Sequence, residues 1–172
     1  VDFSDQAHLI VLAQNLPLRF EKGEIWLGNE QVSDAIRSEQ TGEDASKIAA
    51  IPLLRQTLLA RQRAFLQPPG LVADGRDMGS VVFPQSGLKI FLTASAEARA
   101  ERRTKQLKQK GIRVIMSDVL KDLQQRDSRD SSRVTAPLQQ SQDARLLDTS
   151  HMSIEQAVAQ VLQWYRGSKS FN

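Results

Sequence analysis

With 172 residues, 40% hydrophobic and 25% charged, the chain has the size and composition of one ordinary soluble domain with a proper core and room for small inserted lobes. It has no cysteine, which excludes disulfides and thiolate metal centres and fits a reducing cytoplasm; its two histidines, His8 and His151, are too far apart to suggest a shared metal. No apolar run approaches the length of a membrane span, nothing at the start resembles a signal peptide, and the net charge is +3.

The first predicted helix covers residues 4–15. Ala7, Ile10, Val11 and Leu12 supply its apolar positions behind Ser4 or Asp5 as cap. Residues 18–20 and 25–27 flank Glu21-Lys22-Gly23-Glu24 and read as a small hairpin with glycine in the turn. Gly28-Asn29 offers another turn before Gln31-Val32. Ser33 or Asp34 is placed to cap a short helix that Gly42 breaks, and a further helix is expected over 43–50. A long helix over 52–65 takes Pro52 in its first turn and stops at Pro68-Pro69-Gly70.

In the second half, a strand is expected at 71–73, then an Asp-rich loop, then a buried strand at 88–92. Residues 94–110 form a strongly helical run ending at Gly111. Another helix is expected over 117–132 with Ser117 as cap, a short strand at 146–148, and a last helix from Ser153 to about residue 166. Strands alternating with helices predict an α/β fold with an open parallel sheet, and the hairpin region before residue 34 reads as an inserted lobe.

Charge is unevenly distributed. Residues 99–133 hold 11 Lys/Arg against 5 Asp/Glu, while the rest of the chain holds 12 against 15. A basic segment on a slightly acidic body points to an anionic ligand. Two clusters sharpen this. Asp74-Gly75-Arg76-Asp77-Met78-Gly79 follows the 71–73 run, at the carboxyl end of a strand, where ligands bind in α/β sheets. About fifty residues on, Arg126-Asp127-Ser128-Arg129-Asp130-Ser131-Ser132-Arg133 repeats the chemistry, with Arg126, Asp130 and Arg133 at i, i+4 and i+7 on one helical face. Planar arginines grip phosphate oxygens bidentately, and an interleaved aspartate can hold an arginine in place or accept a sugar hydroxyl. The competing reading of either cluster is a solvated surface laced with ion pairs.

From residue 45 to its end the chain resembles bacterial cytidylate kinases. The resemblance rests on Ala45-Ser46-Lys47-Ile48-Ala49, residues 52–55, Arg61-Gln62-Arg63, residues 74–79 with Val81-Val82-Phe83-Pro84, residues 126–133, and Leu147-Asp148-Thr149 followed by Ser153-Ile154-Glu155-Gln156. The similarity spans nearly the whole chain and is weakest over 21–31. It implies a P-loop nucleoside monophosphate (NMP) kinase fold, a parallel sheet flanked by helices with a small NMP-binding lobe at 1–55, a core at 56–98 and 134–172, and a helical lid with arginine-bearing helices at 99–133. It further implies transfer of the ATP γ-phosphate to CMP or dCMP with Mg²⁺, by a cytoplasmic, monomeric enzyme without nucleic-acid or membrane partners.

By the same resemblance Ser46, Arg55 and Asp77 read the cytosine edge, Arg76 contacts the CMP phosphate, and Arg126 and Asp130 lie near the nucleoside sugar. Arg133 takes the phosphates. Arg103 meets the ATP phosphates when the lid closes, with Arg99 and Arg102 as candidates for the adenine. The implied catalytic set is therefore Arg76, Arg126, Arg133 and Arg103. No residue is a direct metal ligand; Asp74 is a candidate to orient a Mg²⁺-bound water or a neighbouring arginine.

The sequence departs from the family pattern at one point. Members begin with a strand, a Gly-rich phosphate loop and a helix, whereas no Gly-x-x-x-x-Gly-Lys-Ser/Thr occurs here and the chain starts at Val1. The expectation is a truncated amino terminus, with the chain as printed inactive, poorly folded alone and exposed along the edge of 71–73. The alternative of a different class is a non-catalytic basic helical module for nucleic acid. The lack of any aromatic residue between Phe91 and Trp164 argues against it, because no base-stacking platform interleaves the basic side chains.

Overall fold

In a computed structural model the structure describes residues 3–132 and 138–169, with only the backbone of residues 39 and 169. The chain divides into two compact units, Val1–Ala73 and Asp74–Asn172.

In the first unit, helix α1 (Gln6–Gln14) starts at Asp5, whose carboxylate accepts the His8 amide proton at 2.9 Å. Its core face is Leu9 and Ala13, while Val11 and Leu12 are exposed. The apolar residues expected to mark the buried side are thus only partly those that bury. Leu9 and Ala13 pack with Leu54 of α3 (Pro52–Ala64), ringed by Ile48, Ile51 and Leu58. Pro52 sits in the first turn, where its missing N–H costs no helical bond.

Strands β1 (Leu18–Glu21), β2 (Glu24–Leu27) and β3 (Glu30–Gln31) form an antiparallel sheet in that order, with Glu21 opposite Glu24. The two-residue turn places both Lys22 (φ 52°) and Gly23 (φ 82°) in the left-handed region, as the twist of the flanking strands requires. Phe20 meets Phe65 edge-on at 5.1 Å, tying the hairpin to the end of α3.

A 3₁₀ turn (Ala35–Arg37) follows, and then α2 (Glu39–Ile48). Gly42 does not break this helix. Ser38 caps it by accepting the Thr41 amide at 3.1 Å, and the helix runs through the glycine, which costs about 1 kcal/mol relative to alanine.

Residues 71–73 form no regular element and belong to no ladder, and Val72 is fully exposed, so the expected strand is not formed among the described residues. A strand exists through its partners, and none of the described segments pairs with this one.

In the second unit, β4 (Ile90–Thr93) and β5 (Arg145–Asp148) pair in parallel, Thr93 beside Asp148, so their carboxyl ends share one edge. Between them lie α4 (Ala96–Gln109) and α5 (Met116–Ser131), packed through Ala100, Leu107 and Val119. Ser95 caps α4, and Gly111 (φ 77°) closes it in the left-handed conformation. Ser117, expected as the cap of α5, lies inside that helix, which Ile115 precedes without a side-chain cap. Helix α6 (Ile154–Lys169) opens with a capping box: Ser153 Oγ accepts the Gln156 amide at 3.2 Å and Gln156 Oε1 accepts the Ser153 amide at 2.8 Å. Arg145 lies over the Trp164 ring at 5.4 Å, joining α6 to β5. No helix among the described residues is long and apolar enough to cross a membrane.

Candidate active site

The Asp-rich segment is a turn with a defined shape. The Asp77 carbonyl accepts the amides of Val81 at 2.9 Å and Val82 at 3.1 Å, and the Met78 carbonyl accepts that of Phe83 at 2.7 Å, making one π turn over Met78–Val82. Gly75 packs closely on Met78: a Cβ there would lie 3.0 Å from Met78 Cγ, so that side chain would have to shift by a few tenths of an ångström. The turn buries Asp77 while leaving the Arg76 side chain 43% exposed. Asp74 is exposed, and among the described residues no cluster of His, Cys, Asp or Glu is built to hold a metal ion.

Arg76 reaches α5. Its Nε donates to Asp130 Oδ2 at 3.1 Å, and Arg126 Nε lies 4.0 Å from the same oxygen. Asp130 is 1% exposed. A buried carboxylate thus faces two arginines from segments fifty residues apart, hydrogen-bonded to Arg76 and within ion-pair distance of Arg126. Guanidinium groups are the side chains best suited to grip phosphate oxygens bidentately. Arg133, the third member expected on this face, lies outside the described residues.

Arg99 is committed elsewhere on α5. Its two terminal nitrogens donate to the two oxygens of Asp127 at 2.9 and 2.5 Å, and its Nε donates to the Ala94 carbonyl at 3.2 Å. The Asp127 carboxylate pushes the guanidinium pKa higher still. Arg102 turns to the loop after β5. Its Nη1 donates to Thr149 Oγ1 at 3.1 Å and its Nη2 to the Thr149 carbonyl and, at 3.4 Å, to that of Met152. Arg103 contacts Gln106 Oε1 at 3.5 Å within its own helix. In the first unit, Ser46 is buried on α2, and Arg55 on α3 donates from Nη1 to the Ala49 carbonyl at 3.2 Å.

Arg76, Arg126 and Asp130 are therefore brought together as a cluster, with Asp77 one residue from its edge. Asp127 and Thr149 are the polar residues whose tertiary roles the motifs did not single out. Their position inside Arg/Asp-rich and Asp-Thr-Ser stretches is a signal of composition, not of partner.

The sequence matches the family model for cytidylate kinase over residues 1–167. The chain belongs to the cytidylate kinase family. The cytidylate kinase of Ralstonia pickettii (strain 12J) is 52% identical over 172 residues, spanning 100% of this chain and 74% of that protein. That of Burkholderia ambifaria (strain MC40-6) is 56% identical over 158 residues, 92% of this chain and 69% of its own length. That of Ralstonia nicotianae is 53% identical over 166 residues, 96% and 72%.

The kinase phosphorylates CMP and dCMP with ATP, as its family membership shows. The family uses ATP and Mg²⁺. Mg²⁺ keeps several waters and takes few protein carboxylates beside substrate phosphates. The nucleic-acid alternative finds no support in these comparisons. Arg99 and Arg102 also spend their guanidinium groups on Asp127 and on loop carbonyls, not on an outward basic stripe.

Proposed function

We propose that this chain carries the acceptor-nucleotide machinery of a (d)CMP kinase in two sets of residues. Ser46, Arg55 and Asp77 read the cytosine base. Arg76 and Arg133 hold the CMP phosphate and, with Arg126, stabilise the transferred phosphoryl group, while Arg126 and Asp130, whose Oδ2 faces two arginines, meet the nucleoside sugar. The carrying observation is the buried Asp130 between Arg76 and Arg126. On the donor side Arg103 engages the ATP phosphates, with Arg99 beside it, and Asp74 orients a water of MgATP. The reading divides the molecule into an NMP-binding lobe at 1–55, a core at 56–98 and 134–172 with the parallel sheet of a P-loop NMP kinase, and a lid at 99–133, working as a cytoplasmic monomer.

The chemistry asks little of these residues beyond placement and charge. Phosphoryl transfer passes through a loose transition state with charge spread over the equatorial oxygens, so catalysis is positioning plus electrostatic stabilisation. Arginines supply both, because a planar guanidinium donates two parallel hydrogen bonds and stays charged at working pH. Lid closure excludes the water that would otherwise take the phosphoryl group. Base selection follows from burial: a wrong base leaves polar groups on the protein unpaired.

A coupled ADP-release assay with MgATP and each of CMP, dCMP, UMP, AMP and GMP tests the reading. CMP and dCMP should be preferred by wild type, and Arg76→Ala should lower kcat/KM for CMP while leaving the order of preference intact. Loss of the preference itself in Arg76→Ala would move that residue from the phosphate to the base.

A further inference from the structure

Four polar residues knit together the two loops at the carboxyl ends of β4 and β5. Thr149 is buried and donates from both its amide (2.8 Å) and its Oγ1 (3.0 Å) to the Thr93 carbonyl, the last of β4. That same Oγ1 accepts from Arg102 at 3.1 Å, so a continuous hydrogen-bond chain runs from α4 through Thr149 to the end of β4. Ser150 Oγ accepts the Ser95 amide at 2.8 Å and donates to Asp148 Oδ1 at 2.6 Å, and Asp148 Oδ1 also accepts the Ser150 amide at 2.8 Å. The 149–152 turn closes by a bond from the Met152 amide to the Thr149 carbonyl, and Arg102 donates to both carbonyls at its two ends. Arg102 is the only one of these groups on α4, the helix that also carries Arg103.

In open α/β sheets, ligands bind in the crevice outside the carboxyl ends of the strands. A loop there makes a useful surface only if it does not move, since each residue left mobile must be ordered when the ligand binds. We infer that Arg102 is a positioning residue for ATP. It docks the 149–152 loop onto α4, so that the loop and Arg103 meet the nucleotide as one preformed surface, and it need not touch the nucleotide itself. The inference rests on the reading that Arg103 serves ATP. A guanidinium suits the task because its fork serves the Thr149 hydroxyl, the Thr149 carbonyl and the Met152 carbonyl at once, which a single ammonium on a flexible stem cannot do.

The test uses the full-length kinase, with initial rates measured against ATP at saturating CMP and against CMP at saturating ATP, alongside calorimetric titration of MgATP. Arg102→Ala should raise KM and Kd for ATP about tenfold, the equivalent of one or two lost hydrogen bonds, while KM for CMP stays within about twofold. Arg102→Lys should fall between wild type and Arg102→Ala. Thr149→Val, which removes the bridging hydroxyl but leaves Arg102 in place, should move KM for ATP in the same direction, and it carries the test if Arg102→Ala does not fold. Hydrogen exchange should show faster exchange of the Thr149 and Met152 amides in Arg102→Ala. An unchanged KM for ATP in the folded variants, or equal increases in KM for ATP and CMP, would overturn the inference. Wild-type rates that do not saturate with ATP, or an Arg103→Ala variant with normal ATP kinetics, would instead defeat the reading on which it rests.

Discussion

Asp130 and Arg76, 54 positions apart in the chain, share a hydrogen bond of 3.1 Å in which the carboxylate is 1% exposed and the arginine 43%. The asymmetry matters. The aspartate is a fixed internal anchor, and the arginine is the part that reaches outward. Removing the anchor takes away the carboxylate that both guanidinium groups face, whereas removing Arg76 leaves the Arg126–Asp130 approach in place.

Asp130→Ala should therefore cost both stability and chemistry. Breaking a buried charge pair reaches 3–5 kcal/mol, and the exposure of Arg76 brings the expected loss down to about 1–3 kcal/mol. Denaturant melts together with kcat/KM for CMP check this. Asp130→Asn, which retains an acceptor, should recover part of the stability but little of the rate. A variant with wild-type turnover would remove Asp130 from the machinery.

In the proposed function base recognition falls to Ser46, Arg55 and Asp77; Ser46 and Asp77 are each buried within their own unit. Ser46→Ala should narrow the preference for CMP over UMP by about tenfold, chiefly through KM, since a buried group left unpaired costs on the order of 1–3 kcal/mol. Competition assays with mixed CMP and UMP read this ratio directly.

Arg133→Ala should depress kcat far more than it weakens CMP binding, by ~10³-fold if the side chain serves the transferred phosphoryl group as arginines do in related reactions. Equilibrium titration with CMP beside steady-state kinetics separates the two. A variant altered only in melting temperature would return Arg133 to the role of a surface ion-pair partner.

The carboxyl of Asp148 is held below its ordinary 3.8 by the hydrogen bonds it accepts from the Ser150 hydroxyl and the Ser150 amide. A group with a depressed folded pKa contributes stability that is fully present above its unfolded value and is lost as pH falls through the folded one. Asp148→Asn should thus melt below wild type at pH 7, with the gap closing as the pH drops below about 3.8. Thermal melts of both proteins across pH 2–7 check it, and a gap independent of pH would contradict it.

Leu54→Ala should destabilise the first unit by about 2–5 kcal/mol, because it opens a cavity at the contact of α1 and α3 where Leu9, Ala13 and Leu54 are each buried. Val11→Ala, on the exposed side of α1, should fall within about ±0.5 kcal/mol. Chemical denaturation of the pair measures the contrast.

Local chemistry determined the parts of this protein that depend on near neighbours. Glu21-Lys22-Gly23-Glu24 specified its hairpin because a two-residue turn demands left-handed backbone. Pro52 and Ser153 marked helix starts because the orphan amides of a first turn need either no donor or a nearby acceptor. The Arg/Asp clusters were legible too, since their composition alone suits a phosphate-bearing ligand. Where a choice lay between neighbours of like chemistry, the chain in one dimension was silent. Gly42 passed inside a helix because the packed length of α2 and the Ser38 cap outweighed its propensity. Residues 71–73 read as a strand, but a ladder needs a partner, and pairing is not a local property. Arg102 and Arg103 are adjacent and identical, and helical geometry turns them about 100° apart. Only the tertiary structure decided that Arg102 spends its guanidinium on the Thr149 and Met152 carbonyls, that Arg99 goes to Asp127, and that Asp130 faces inward to Arg76, because each of those choices was made by a segment 28 to 54 positions away.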